Sequence, residues 1–434
     1  MNKSTMTSKI QNIWESLWMR DGIKPWWYPK KMGPVVCLGM VLGLLPRNRD
    51  GYWSFCVAYI TGSICLLILT VFWVIFFVFM EVCINGEQSD VKSLCENSAC
   101  IALGVTAFHN MIWFWSHSRT VRSFLVKCKE LEVWQKVGRN IGYCPLLLLL
   151  LTSFDSLLPA LWFIGDLTFC TSPFWTKVCI LPCYWFLRVT AVFPILLYIA
   201  VAGFLKDYAA YLGTRIEITA RLVDTVKEGA RAMPMGTFGR GGTLDSRRIE
   251  LARATRKKSV EDQDNLDDAL DEVIREWRHL SDLHDRLAKV LSMPLLCASA
   301  YQTVMVIVGA FFLTDATTLL KILTCVLMMV TAITLLYVQG YAADSFLQQT
   351  LYFHQAVRQM QITLLSPRVN LADSSLIEQV LQLIDDAGNP LEMNMCGLFI
   401  LSCSNFLPTV GAIASNLVVL QQFYLPKSNQ QDSL

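Results

Sequence analysis

Seven long runs nearly empty of charge leave this chain little to fold into except a lipid bilayer. They cover residues 52–80, 97–118, 141–165, 178–205, 290–314, 322–343 and 393–426. About 20 apolar residues in a helix cross the hydrocarbon core. Inside lipid a backbone must satisfy its polar groups within its own segment, so each run reads as a helix. Only Asp155 and Arg188 carry formal charge within them. The expected fold class is therefore an all-α polytopic membrane protein with seven transmembrane helices. Composition agrees, since 17% of residues are charged where soluble domains have about 25%.

A shorter apolar run, 32–46, cannot cross and is interrupted by Gly33, Pro34, Gly39, Gly43 and Pro46. It reads as a re-entrant or interfacial segment. A signal peptide is excluded, because the 31 residues before it are polar and rich in tryptophan.

Orientation follows from the basic residues, which membrane insertion keeps in the cytosol. Alternate loops hold 32 Lys and Arg, and the opposite set holds four: Lys92, Lys177, Lys321 and Lys427. The N-terminus is thus expected in the cytosol and the C-terminus outside. That orientation opposes a G-protein-coupled receptor. The third span also lacks a D/E-R-Y triplet, and the seventh lacks N-P-x-x-Y.

The expected organisation is a cytosolic segment 1–51, four spans over 52–205, and cytosolic helices over 206–289. Two spans follow over 290–343, then cytosolic helices over 344–392, a last span over 393–426 and an outer tail 427–434. Residues 233–264 run from glycine-rich to basic to acidic and read as a disordered loop. Around them the pattern is amphipathic. Leu266, Leu270, Val273, Ile274, Trp277, Leu280, Leu283 and Leu287 recur at helical steps. A second such helix, SSLIEQVLQLIDD, begins with Ser374 or Ser375 as N-cap and ends before Gly388. Apolar faces in water must pack together, which predicts a helical anchor base where subunits meet.

The last run carries amides. Thr409, Ala412, Asn416, Val419 and Phe423 line one helical row, and Ser415, Val418 and Gln422 line the next. An unsatisfied amide in a bilayer costs several kcal/mol. The amides either glue helices together or face a water-filled path, with Val419 and Phe423 as its apolar constriction and Gln422 beside them.

SNLVVLQQF, residues 415–423, resembles the T-Y-(five apolar)-Q-F signature ending the last helix of arthropod gustatory receptors, a branch of the insect chemoreceptor superfamily related to odorant receptors. Ser415 stands for the threonine, Asn416 for the tyrosine, and Gln422 and Phe423 match. GPVVCLGMVLGLLP, residues 33–46, is similar to the segment before the first span, especially in sugar-sensing members. The resemblance implies a tetrameric ligand-gated cation channel in the plasma membrane. Four copies, identical or mixed with related subunits, would place their last helices around one pore. Asn416, Val419, Gln422 and Phe423 would then form pore and gate, Gln422 and Phe423 by matching motif, and Asn416 and Val419 by helical spacing.

A ligand site is expected among the other spans. Asp155 and Arg188 lie at similar depths, each about 15 Å or slightly more below the outer surface, and a lone charge there is costly, so they pair or share a hydrated cavity. His109, Trp162, Tyr184, Trp185, Tyr301 and Gln302 lie near that level. Aromatic faces beside carboxylate and amide groups suit a small polyol, which makes a sugar one candidate ligand and a bitter or other small compound another. A seven-span transporter or non-conducting scaffold is the competing class.

Other chemistry is missing from the pattern. The fifteen cysteines include no C-x-x-C, and a disulfide among Cys83, Cys95 and Cys170 stays open. No nucleotide loop, zinc motif or nucleophile elbow occurs. The chain is expected to be no enzyme, to hold no cofactor or metal, and to bind membrane lipids but no nucleic acid.

Overall fold

The computed structural model describes residues 35–36, 38–39, 42, 44–45, 91–130, 147–155, 174–231, 246–314, 318–365, 374–389 and 391–431. The first expected span (52–80), Cys83, Cys170 and Trp162 lie outside the described residues.

Helix dominates. In chain order come α1 (Val91–Ser116), α2 (Ser118–Glu130), a helical stretch over 147–155, α3 (Phe174–Arg231), α4 (Ser246–Thr314), α5 (Leu319–Leu365), α6 (Ser374–Ala387) and α7 (Phe406–Gln431). Among the described residues three helices are long and apolar enough to cross a membrane: Tyr184–Arg221, Asp268–Thr314 and Leu319–Leu364. Each is far longer than the roughly 20 residues a bilayer needs.

Two boundaries differ from the sequence reading. The segment expected to be a disordered loop over 233–264 is helical from Ser246 onward. Its charges come in blocks of opposite sign, with Lys257 four residues before Glu261, a spacing that supports a helix. The run 393–426 is also not one helix. Strands β1 (Asn394–Met395) and β2 (Phe399–Ile400) pair antiparallel around a turn in which Cys396 and Gly397 have positive φ. A 3-10 turn, Cys403–Asn405, then leads into α7. Pro408 therefore sits in the first turn of a helix, where its missing N–H would have had no partner anyway.

The chain divides into two units. The first comprises Met1–Phe204, Arg286–Asp344 and Met393–Leu434. Its core is built on α3, whose residues Leu187 through Ala202 are all buried. Phe114 of α1 meets Phe193 edge-on at 5.5 Å. Polar side chains stitch the helices, as they must where lipid offers no competing partners. Asn110 Nδ2 donates to the carbonyls of Thr190 and Ala191 at 3.2 Å each. Trp113 Nε1 donates to the Val290 carbonyl at 2.7 Å, and Gln339 Nε2 to Ser299 Oγ at 2.7 Å. Val35, Val36, Leu42, Leu44 and Leu45, from the run read as re-entrant or interfacial, are buried. In α5, by contrast, only 33% of the most apolar stretch is buried within the protein, leaving Leu323, Val326, Val330 and Ile333 exposed to lipid or another chain.

The second unit, Leu205–Asp285 and Ser345–Glu392, packs the amphipathic rows read in the sequence. Leu270, Val273, Trp277, Leu280 and Leu283 are buried, as are Val380 and Leu383 of α6. Trp277 stacks on Phe353, ring centres 4.2 Å apart and 8° from parallel. Its Nε1 donates to the Asp386 carbonyl at 3.2 Å. Arg278 Nε pairs with Asp386 Oδ2 at 2.9 Å, and Arg215 Nη2 with Glu272 Oε2 at 2.7 Å.

This unit also holds two imidazoles, His284 buried and His354 half-buried. His284 stacks on Phe346, and burial lowers its basicity although Asp285 Oδ1 lies 3.7 Å from Nδ1. Burial likewise lowers His354, reinforced by Arg358. Below pH 6.5, the ordinary value for both, the unfolded chain binds more protons than the folded one. Stability is then lost as pH falls through that range. Glu276, raised by burial, acts oppositely but in the carboxylate range. The melting midpoint of the solubilised protein should fall between about pH 7.5 and 5.5, with part of the slope removed in His284→Phe; a flat midpoint in wild type contradicts this.

Candidate functional site

An arginine held in an apolar helix must find acceptors, because its guanidinium keeps its charge under any accessible condition. Arg188 sits on the buried stretch of α3 at 1% exposure and finds two. Its Nη2 donates to Asp155 Oδ2 at 2.6 Å, the carboxylate also 1% exposed. Its Nη1 donates to the Tyr301 hydroxyl. The guanidinium carbon lies 5.0 Å from the Tyr301 ring centroid, where the ring face favours a cation. Three separate helical segments thus converge on one buried charge pair.

The pair is not saturated. Among the described residues Asp155 Oδ1 has no hydrogen-bond partner, and neither amide atom of Gln302 has one although Gln302 is 0% exposed. Gln302 follows Tyr301 on α4, so its side chain leaves the helix about 100° around from the phenol. Buried polar atoms left unmatched cost free energy. A water or a ligand hydroxyl would relieve that cost.

Other predicted residues are placed differently. His109 stacks on Trp113 at 5.8 Å on α1, with Nε2 buried and unmatched. Trp185 is half-buried on α3, one turn before Arg188. Tyr184 interacts electrostatically with Arg188. Asn110, which locks α1 to α3, was not singled out in the sequence; its only signal was an amide beside His109 in a charge-free run.

α7 is the second candidate. Within the single chain Asn416, Val418, Val419 and Gln422 are exposed, Val418 at 53% and Val419 at 48%, while Ile413 is buried. The polar groups turn inward onto their own helix. Thr409 Oγ1 donates to the Asn405 carbonyl at 2.8 Å, Ser415 Oγ to Gly411 at 3.0 Å, and Asn416 Nδ2 to Ala412 at 2.9 Å. Phe423 lies on the same helix. One long face, part amide and part aliphatic, is therefore left without cover by its own chain.

With this geometry in place, the likeness to known proteins is informative. The sequence pattern of the 7tm chemosensory receptor family matches residues 33–425. This is a membrane receptor family, not an enzyme family. No curated protein matches the chain. Among solved structures, the olfactory receptor OR5 of the insect Machilis hrabei in complex with eugenol superposes with a TM-score of 0.65 at 13% identity, covering 90% of this chain and 97% of that one. The structure titled without that ligand gives 0.65 and 13%, covering 91% and 98%. At such identity the likeness is one of fold.

Proposed function

Because the chain belongs to the 7tm chemosensory receptor family, we propose that it is a ligand-gated cation channel of the plasma membrane, opened by a small extracellular compound. In this reading four copies, alike or mixed with related subunits, put their α7 helices around a shared pore. The observation that carries it is the uncovered face of α7, whose Asn416 and Gln422 lipid could cover only at a cost of several kcal/mol. Water between copies would cover it at little cost.

The N-terminus is cytosolic in this proposal, which puts Gln422 and Phe423 toward the outer end of the pore. Val419 and Phe423 narrow it there. The ligand site is assigned to the region of Asp155, Arg188, Tyr301 and Gln302, with Trp185 one turn away on α3. An unmatched carboxylate oxygen and a free amide suit a molecule rich in hydroxyls, which favours a taste receptor for a small sugar.

Whole-cell recording under a panel of sugars and bitter compounds tests this. A ligand-evoked cation current is expected. Absence of current with every compound, despite chain at the cell surface, would sink the channel reading. Phe423→Ala should raise ligand-free leak severalfold by widening an apolar constriction; an unchanged leak removes Phe423 from the gate.

A further inference from the structure

A helix normally supplies the cap for its own first N–H groups. At the start of the α7 segment this fails. Ser402 is in the N-cap position of the 3-10 turn with extended backbone but makes no side-chain cap bond; its Oγ instead meets Ser404 Oγ at 2.5 Å. The Cys403 N–H donates at 2.8 Å to Asp344 Oδ2, which belongs to α5. The cap comes from another helix.

Two further contacts lie on the same face of α5. Tyr337, Gly340 and Asp344 are spaced three and four apart, one above the other. Tyr337 meets Phe406 of α7 edge-on at 5.7 Å. At Gly340 a β-carbon would come within 3.1 Å of Cys403 N and of Ser402 C and O. All three are backbone atoms, so no side chain can swing aside to admit it. Glycine is what lets the chain cross α5 this closely. Tyr198 of α3 is buried and within electrostatic reach of the Asp344 carboxylate. Tyr198 lies ten residues, or about 15 Å, along α3 from Arg188.

We propose that Asp344, Gly340 and Tyr337 form the joint by which α5 and α3 set the position of the pore helix. Asp344 is its positioning residue: it holds the 3-10 turn that leads into α7 through a bond that exists only while α5 keeps its present placement. Displacement of α3 at the ligand site, carried along that helix to Tyr198, then reaches α7 through one carboxylate and one close backbone crossing. This rests on the channel reading for its functional consequence, but the joint itself is tested without current.

Three variants separate the joint from a plain surface charge. Asp344→Asn keeps an oxygen for the Cys403 N–H and loses the charge, Asp344→Ala loses both, and Gly340→Ala forces the backbones apart. One readout is alkylation of Cys403 by N-ethylmaleimide in full-length protein purified in detergent, followed by mass spectrometry. Both Asp344 variants remove the negative charge near the thiol, so their difference reports the hydrogen bonds that residue 344 makes to the backbone and thiol of Cys403. Alkylation should be about fivefold faster in Asp344→Ala than in Asp344→Asn, the change that follows from losing one cap. The second readout is ligand-free leak in expressing cells, expected to rise about fivefold in Asp344→Ala and in Gly340→Ala while Asp344→Asn stays near wild type. Equal alkylation in the two Asp344 variants overturns the joint. So does a leak that follows charge, rising equally in Asp344→Asn and Asp344→Ala. If no variant and no wild-type chain conducts under any stimulus, the channel reading fails while alkylation still decides the joint.

Discussion

Arg188→Met should unfold most of the protein. The substitution strands Asp155 at 1% exposure without its cation and leaves the Tyr301 hydroxyl without its donor. Breaking a buried ion pair from one side costs about 3–5 kcal/mol, a large part of the roughly 5–15 kcal/mol that holds a folded protein together. Loss of the monodisperse peak in size-exclusion chromatography, and of surface expression, would report it. The double variant Asp155→Leu with Arg188→Met removes both charges and should recover folding, since apolar replacement of a buried pair is often neutral. Its ligand response then discriminates. A refolded channel that still responds makes the pair a structural brace, and a refolded channel that is deaf places ligand against it. An Arg188→Met protein within about 1 kcal/mol of wild type would contradict the buried pairing itself.

Trp277→Ala should damage the second unit to a similar degree. The indole is 1% exposed, lies flat on Phe353 and donates to the Asp386 carbonyl. Truncating a buried Trp costs about 3–5 kcal/mol through lost contact and the cavity left behind. Trp277→Phe keeps the stack and gives up the hydrogen bond, at about 1–2 kcal/mol. Thermal midpoints, with limited proteolysis across α4 and α6, distinguish the two. Equal effects would mean that the hydrogen bond, and not the stacking, fixes this core.

Residues whose environment is dictated by their own chemistry were legible in the sequence. Two charges in apolar runs had to pair or share a hydrated cavity, and Asp155 and Arg188 pair. The row through Leu270, Val273 and Trp277 had to be buried, and it is. Tyr301 was one of six residues named near the depth of that pair, but nothing marked it as the one against the arginine, because one aromatic among many carries no sign of what lies beneath its ring. The span over 393–426 was misread as one helix because hydropathy ignores the turn at Cys396 and Gly397. Ser246 onward was misread because blocks of like charge suggest disorder until their opposite neighbours are counted. Asp344 fell just past the end of an apolar run and looked like an ordinary flank. A cap supplied by another helix depends on a tertiary distance, which no local pattern records.

The inward-turned hydroxyls and amide of α7 also bear on ion preference. Because Thr409 and Ser415 donate their single hydroxyl hydrogens to carbonyls of their own helix, what these two present outward is lone-pair oxygen, whereas Asn416, which uses one of its two N–H groups on Ala412, keeps both a donor and an acceptor. In the proposed pore a sodium or potassium ion shedding part of its hydration shell would find substitutes at Thr409 and Ser415, whereas chloride would meet the wrong end of those hydroxyl dipoles. A cation preference at those two positions would need no fixed negative charge along the helix.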